Sequence, residues 1–394
     1  MAEGAHVLSD SLRVAIDARS AVIREPTGVG VYAREVIRRL PPVDPATRYT
    51  AWVLDARGLV NRRRFFAGVP GLGEHRTAIP ARVFDRAVAR LDMPRIEWFL
   101  RFDVLFAPNF VPPPTRAPRV VATMHDLAFR LMPETAPHAV AWWRRAVERT
   151  VTTAARVIVP SSATKTDLVR LYGVDDHRVD VIPLGVDHDR YRPQSADEIA
   201  RARARFGLPE RYLLFLGLDR RKNLPAVLHA LSRIAADERP TLALAGARPW
   251  EPDGRDPTAD ALDAIGADVR SRVVRLGYVE REATPALLGG AMALVFPSRY
   301  EGFGLPVLEA MAVGTPVVTS AGSSLPEIAD GAALLVEPDD PRALADAIGR
   351  VVDDEAVRAR LRDEGLARAA RFTWDETARR TAEVLRAAAA ADPT

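Results

Sequence analysis

The chain reads as an α/β protein made of two doubly wound, parallel-sheet domains, and three observations predict it. Short apolar runs of strand length alternate with amphipathic stretches of helix length from Arg13 onward, the pattern that puts helices on both faces of a parallel sheet. The alternation lapses around Arg190 to Gln194 and restarts at Tyr212, so there are two such series. At 394 residues, 48% of them hydrophobic, the chain exceeds one typical domain and carries enough apolar side chains for two cores.

Composition narrows the function classes. There is no cysteine, which removes disulfides, thiolate metal sites and cysteine nucleophiles and fits a reducing compartment. The 55 basic residues, nearly all Arg, stand against 52 acidic ones for a net charge of +3. No nucleic-acid motif accompanies them, so a solvated basic surface is expected and no nucleic-acid partner. Met1 to Ser11 holds no apolar core of signal-peptide length, and no later run reaches the length of a membrane span. The expectation is a soluble or peripheral chain of the cytoplasm.

In the first series, Arg13 to Asp17 alternates as a strand, and Thr27-Gly-Val-Gly30 opens an amphipathic helix running to about Leu40. A strand, a Gly-rich turn and a helix start make an anion-binding geometry, so Gly28 and Gly30 are candidates, although such turns also serve as plain tight connections. Tyr49 to Leu54 reads as the second strand, followed by a basic stretch at 62–66. In Ala81 to Leu91 a helical face of Val83, Phe84, Ala87, Val88 and Leu91 is flanked by Arg82, Arg86 and Arg90. That pattern suits a membrane-surface helix or a surface helix packed on its own domain. Asp103 to Ala107 and Arg119 to Met124 follow as strands, the second ending in His125-Asp126. Ligands of open α/β sheets collect at the carboxyl ends of strands, which makes His125 a candidate and Asp126 a weaker one. Arg156 to Pro160 and Val179 to Ile182 are further strands around the helix Thr164 to Tyr172, with Ser161 and Ser162 as capping hydroxyls.

In the second series Leu213 to Gly217 is a strand, and Arg220-Arg-Lys-Asn223 leads into a helix near Leu224. Arg221 and Lys222 at a strand-to-helix turn suit a diphosphate, Arg forking onto two oxygens and Lys adding a point charge. Strands are expected at 241–245, 273–276, 293–296 and 316–319. After Ala293 to Phe296 the chain breaks at Pro297, turns through Gly302 and Gly304, and forms a helix from Leu305 to Val313 with Pro306 in its first turn. That helix is apolar except for Glu309, a carboxylate that is costly to bury unpaired. The N–H groups of Gly304 and Leu305 would face an anion, with Glu301 and Glu309 on either side. Thr373 caps a last amphipathic helix that runs to about Ala389.

Glu301 and Glu309 enclose seven residues that include Gly302-Phe303-Gly304, and the segment resembles the E-x7-E signature of glycosyltransferase family 4, retaining enzymes of the GT-B fold. Gly-Thr-Pro-Val-Val-Thr at 314–319, Leu-Pro-Glu-Ile at 325–328 and Gly-Leu-Asp-Arg-Arg-Lys-Asn-Leu at 217–224 extend the resemblance over nearly the whole chain. It implies an acceptor-binding domain over 1–190, a donor-binding domain over 191–371 facing it across a cleft, and a terminal helix, 372–394, crossing back onto the first. It implies transfer of a hexose from a nucleoside-diphosphate sugar to a glycan, lipid-linked or small-molecule acceptor. Arg221, Lys222 and the backbone at Gly302, Phe303, Gly304 and Leu305 would hold the diphosphate, opposite Gly28 and Gly30. Glu309 would hold the ribose, Glu301 the sugar hydroxyls, His125 the donor sugar, and Gly246 and Val279 would border the base. Residues 27–34 and 123–129 resemble mannosyltransferase-like members, which favours GDP-mannose over UDP-sugars. No Asp-x-Asp cluster sits at a strand end, so no metal is expected. The alternatives are a sugar-nucleotide epimerase of the same fold and a noncatalytic nucleotide-sugar-binding protein. A dinucleotide-binding dehydrogenase is disfavoured, since no complete G-x-G-x-x-G with a ribose-binding acid is present. Peripheral contact with the inner membrane face and the oligomeric state stay open.

Overall fold

The computed structural model describes residues 11–23, 27–55, 64–117, 119–135, 141–247 and 256–391. The basic positions 62–63 and residues 248–250 lie outside the described residues. The first sheet contains β1 (Arg13–Asp17), β2 (Arg48–Leu54), β3 (Leu72–Thr77), β4 (Val104–Ala107), β5 (Val120–Thr123), β6 (Arg156–Val159) and β7 (Val179–Val181). Their order is β3-β2-β1-β4-β5-β6-β7, and every pairing is parallel. The second sheet contains β8 (Tyr212–Leu216), β9 (Thr241–Ala245), β10 (Val273–Gly277), β11 (Ala293–Phe296), β12 (Val317–Ser320) and β13 (Leu334–Val336), in the order β10-β9-β8-β11-β12-β13, again all parallel.

Helices cover both faces of each sheet, so the central strands are buried on both sides. All four residues of β4, β5, β11 and β12 are buried, which is why β4 and β11 read as unbroken apolar runs, while β5 and β12 end in buried hydroxyl residues. In each sheet the strand order reverses once, between β1 and β4 and between β8 and β11. The crevice at such a reversal, beyond the carboxyl ends of the strands, is where a doubly wound sheet offers room for a ligand.

The chain leaves the first sheet after β7 and comes back at its end. Val186 forms a bridge with Thr373. Gly185 lies against this return, where an added Cβ would fall 2.2 Å from the backbone N of Trp374. Thr373 caps the helix Trp374–Ala390 by accepting from the Glu376 N–H. That helix buries Trp374, Ala378, Ala382 and Leu385 against the helix Gly28–Val43 and β4 to β6. The terminal helix therefore belongs to the first domain by packing and to the second by chain order.

The helix Ala81–Leu91 buries Phe84 and half-buries Ala87 and Val88, as a packed surface helix should. Val83 and Leu91, from the same apolar face, stay 55% and 65% exposed.

Candidate active site

The site grows from the turn after β11. The strand ends against Pro297, and the next eight residues carry the chain across the reversal point between β8 and β11. Glu301 is buried there with its charge fully answered. Its Oε1 accepts from Lys222 Nζ at 2.6 Å and from Ser298 Oγ at 2.5 Å, and its Oε2 accepts from Arg221 Nη1 at 2.8 Å. Burial alone would raise the carboxyl pKa, but the two cations overcome it and hold the group down at about 2.

Arg221 and Lys222 come from the turn after β8, as the sequence placed them. Asp219 Oδ1 lies 3.1 Å from Arg221 Nε, and the Tyr300 carbonyl accepts from Arg221 Nη1 at 3.2 Å. Those carboxylates keep the guanidinium charged despite its burial. The Lys222 ammonium also lies 4.4 Å from the centre of the Phe296 ring, a cation–π contact. Its stem passes Gly217, where a Cβ would fall 3.1 Å from Lys222 Cε and the φ of +82° would strain any other residue.

The helix Leu305–Val313 starts beside this pair. Gly304, at φ +106°, reverses the chain into it, and an added Cβ would fall 2.7 Å from Leu325 Cδ2. The N–H groups of Phe303, Gly304 and Leu305 donate to no acceptor among the described residues. They are the free donors of a helix start and form the positive pole of its dipole. Three serines brace the loop. Ser323 Oγ accepts from the Glu301 N–H at 3.0 Å, Ser324 Oγ donates to the carbonyls of Glu301 and Phe303, and Ser320 Oγ bonds the Ser298 carbonyl.

Glu309 sits further along the same helix, its side chain only 12% exposed. Its nearest cation, Arg281 Nη2, is 4.0 Å away. The Tyr191 hydroxyl also interacts with it. This is thin compensation, and burial pushes its pKa up to about 7. The two glutamates thus have opposite electrostatics, one doubly paired and ionised, the other close to half-protonated at neutral pH.

The first domain closes over the Glu301 turn. The Gly302 carbonyl accepts from Ser161 Oγ at 2.7 Å and from Thr164 Oγ1 at 3.1 Å. A Cβ at Gly302 would fall 1.7 Å from the His125 carbonyl oxygen. Tyr300 Oη donates to Asp167 at 3.2 Å, and the Ser162 N–H donates to Glu327 at 2.9 Å. His125 follows β5, buried between Tyr32 and Phe110 at ring distances of 4.9 and 5.6 Å. Its Nε2 lies 2.9 Å from the Pro108 carbonyl. A carbonyl only accepts, so Nε2 carries the proton. Burial lowers the imidazole pKa, which leaves a neutral ring with Nδ1 as an acceptor.

Of the residues singled out by sequence, Arg221, Lys222, Glu301, Gly302, Phe303, Gly304, Leu305 and His125 come together. Glu309 lies one helix away. Gly246 and Val279 lie past the ends of β9 and β10, the Gly246 N–H donating to the Gly277 carbonyl at 2.8 Å. Gly28 and Gly30 fall in the first turn of their helix, not in the turn before it, and no described hydrogen bond ties them to the group. A Cβ at Gly28 would meet nothing within 4 Å. Asp126 caps the Ala128 N–H at 3.0 Å and contributes to the field at Arg221. Sequence reasoning missed Ser298, Ser323, Ser324, Tyr191 and Arg281, and took Ser161 for a cap alone. It is a cap, accepting from the Thr164 N–H, and it also clamps Gly302. Among the described residues no group of three or more His, Asp or Glu is placed to hold a metal ion.

The arrangement can hold a polyphosphate between two cations and a helix start, with a neutral imidazole and a half-ionised carboxylate nearby. Comparisons with known proteins bear on the family and the fold. Residues 26–190 match the family model described as Glycosyltransferase Family 4, and residues 210–354 match that of Glycosyl transferases group 1. The O-antigen chain mannosyltransferase B of Escherichia coli is 30% identical over 377 residues, 90% of this chain and 94% of that one. A D-inositol 3-phosphate glycosyltransferase of Nocardioides is 36% identical over 258 residues, 62% of this chain and 56% of that one. The Anabaena protein HepE, solved in complex with UDP-glucose, superposes with a TM-score of 0.69 at 20% identity, over 95% of this chain and all of that one. The two-sheet architecture is thus that of GT-B proteins.

Proposed function

The chain belongs to glycosyltransferase family 4, and from that membership we propose that it moves a hexose, mannose in the favoured case, from a nucleoside-diphosphate sugar to an acceptor. The transfer retains the anomeric configuration and uses no metal. The observation that carries this reading is the Arg221–Glu301–Lys222 cluster beside the open start of the helix Leu305–Val313.

Breaking the anomeric C–O bond leaves the electron pair on the diphosphate and a cationic sugar. Arg221, Lys222 and the free N–H groups at 303–305 are fixed donors for that growing negative charge, the preorganised stabilisation that lowers such barriers most. They supply the positive charge that a metal supplies elsewhere. Glu301 keeps both cations aimed, and its remaining lone pairs can take a sugar hydroxyl. With its charge answered by two cations it is a weak nucleophile. We therefore assign no covalent intermediate and let the leaving phosphate guide front-face attack. Glu309 takes the ribose hydroxyls, Gly246 and Val279 border the base, and His125 offers Nδ1 to a sugar hydroxyl. Gly28 and Gly30 face the diphosphate from the first domain.

The domains divide as 1–190 for the acceptor, 191–371 for the donor and 372–394 for the returning helix. Mannose is supported by the Escherichia coli relative, which spans nearly the whole chain and is named a mannosyltransferase. GDP is favoured as the nucleotide from residues 27–34 and 123–129. The acceptor is a glycan, a lipid-linked sugar or a small molecule. The reaction is placed in the cytoplasm, with peripheral contact at the inner membrane face.

Thermal-shift binding against GDP, UDP, ADP, dTDP and NAD tests the reading, with Glu309→Ala as control. A ligand at a hundred times its Kd adds about 2.7 kcal/mol. A shift with GDP that Glu309→Ala abolishes, followed by GDP release from GDP-mannose, is the expected result. No shift with any nucleoside diphosphate would remove it.

A further inference from the structure

A cavity of about 1180 Å³ among the described residues is not at the carboxyl ends of the strands. It lies at the opposite end of the first sheet. Its walls are the segments entering β5 and β6, Arg178 before β7, one face of the helix Ala141–Thr153 from Trp142 to Thr153, and the last turns of the helices Ala81–Leu91 and Trp374–Ala390. The active site belongs to the carboxyl ends, so this groove is a separate place on the molecule.

Six arginines line it, Arg90, Arg116, Arg119, Arg145, Arg149 and Arg178, against one acid, Asp92. Three have local duties. Arg149 pairs with Asp92 at 3.2 Å, Arg178 donates to the last carbonyls of the helix Ala141–Thr153, and Arg119 Nη2 reaches the Ala391 carbonyl at 3.2 Å. Arg119 Nε is buried with no acceptor. Arg90, Arg116 and Arg145 are exposed, and no carboxylate among the described residues pairs with them. Helix C-termini explain the capping arginines and account for Arg90, in the last turn of its helix; they do not explain Arg116 and Arg145. The groove is not purely polar. Leu91 and Trp142 stand at its wall, 65% and 38% exposed, and Val83 continues the Leu91 stripe along its helix.

Guanidinium groups without partners call for an anion, and phosphate oxygens suit their fork. A free phosphate would leave the apolar side chains in water. A bilayer surface satisfies both, with headgroup phosphates on the arginines and Leu91 and Trp142 in the boundary with the acyl chains. No helix among the described residues is long and apolar enough to cross a membrane, so contact would be from the surface. We propose that this groove, with the Val83–Leu91 stripe beside it, seats the protein on an anionic phospholipid surface, Arg90, Arg116 and Arg145 taking the lipid phosphates. Docking there leaves the cleft free. The inference rests on the membrane-contact part of the proposed function and is independent of the transfer chemistry.

Co-sedimentation of the full chain with phosphatidylcholine vesicles, with and without phosphatidylglycerol, tests it. Binding is expected only with phosphatidylglycerol, and Arg90→Glu with Arg145→Glu should weaken it by at least about thirtyfold. Arg201→Glu with Arg233→Glu, the same charge change at exposed positions of the second domain, should bind as the parent does. Leu91→Asp should weaken binding with every arginine in place. Equal binding to both vesicles, or equal loss in both charge-reversed pairs, would overturn the proposal. So would an Arg90- and Arg145-dependent thermal shift with inorganic phosphate and no vesicle binding, which would mark a free-phosphate site. A nucleotide thermal shift retained in Arg90→Glu with Arg145→Glu confirms that the cleft is intact. Vesicle binding without any nucleotide shift would overturn the transferase reading and leave the groove standing.

Discussion

Replacing Gly302 by alanine should separate donor binding from turnover. The added Cβ would sit 1.7 Å from the His125 carbonyl oxygen, where a carbon and an oxygen in contact need about 3.3 Å. The obstacle is backbone on both sides, so the two domains must part by roughly 1.5 Å or the loop at His125 must shift as far. Parting also stretches the bonds from Ser161 and Thr164 to the Gly302 carbonyl, worth about 1 kcal/mol each. Two such bonds amount to about thirtyfold in the closed population. A misplacement of about 1 Å at the reacting atoms alone costs about a hundredfold. Turnover, read as nucleoside diphosphate release from the donor sugar, should therefore fall by at least about two orders of magnitude. Nucleoside diphosphate binding should persist, because Arg221, Lys222 and Glu309 all lie in the second domain. The melting temperature should fall only modestly, by what losing the two bonds to the Gly302 carbonyl costs, since packing within each domain is unchanged. Gly349→Ala, where the added Cβ makes only an ordinary 3.9 Å contact, is the control. Turnover within threefold of the parent in Gly302→Ala would refute the idea that the glycine is there for domain closure.

Glu309→Gln should trade function for stability. The folded-state pKa of about 7 lies above the ordinary 4.5, so the folded chain binds an extra proton between those values and loses stability as pH rises through them, by about 3 kcal/mol. The glutamine chain should melt higher than the parent at pH 8 and not at pH 5, while nucleotide affinity drops. The same Tm difference at both pH values would refute the buried-charge account. In the parent, nucleotide affinity should rise through about pH 7, as the carboxylate that accepts from ribose forms; isothermal titration across pH reads it, and a flat profile counts against the ribose role. Lys222→Ala leaves Glu301 with Arg221 and Ser298 and should cut turnover by about 10²–10³; near-normal turnover would sink the phosphate assignment. Ser161→Ala with Thr164→Val should lower kcat and spare the nucleotide Kd, and an equal change in both would show that the pair serves folding instead.

Legibility followed burial. β4 and β11 are apolar at every position and β5 and β12 open on Val-Val because helices cover both faces, and these runs are what the eye finds. β3, Leu-Gly-Glu-His-Arg-Thr, buries only its last residue at the edge of the sheet, and β13 has three residues. Neither carries a periodic signal, and both went unread. The site divides along the same line. Arg221, Lys222, Glu301 and the Gly302–Leu305 turn act through short local geometry, a turn after a strand and a helix start, so their chemistry is written in consecutive residues. Ser161, Thr164 and His125 meet Gly302 from 138 to 177 positions away in the chain. Nothing local distinguishes a serine that only caps a helix from one that caps it and also clamps the other domain.

The E-x7-E spacing itself illustrates the limit. Sequence marks Glu309 as a lone carboxylate on an apolar helix but does not say what pairs with either glutamate, and the fold gives Glu301 two cations and Glu309 a single guanidinium at 4.0 Å. The difference arises from position. Glu301 precedes the helix, where the turn after β8 can reach it. Glu309 lies on the helix Leu305–Val313, where the neighbouring residues are apolar and only Arg281 and Tyr191 approach. A permanently ionised Glu301 suits a group that must keep two cations pointed at a diphosphate. A Glu309 poised near neutrality suits one that gives up its proton when a ribose arrives to replace the solvation it lost on burial. Retained nucleotide binding in Glu309→Gln at pH 5, together with its loss at pH 8 relative to the parent, would be the signature of that division of labour.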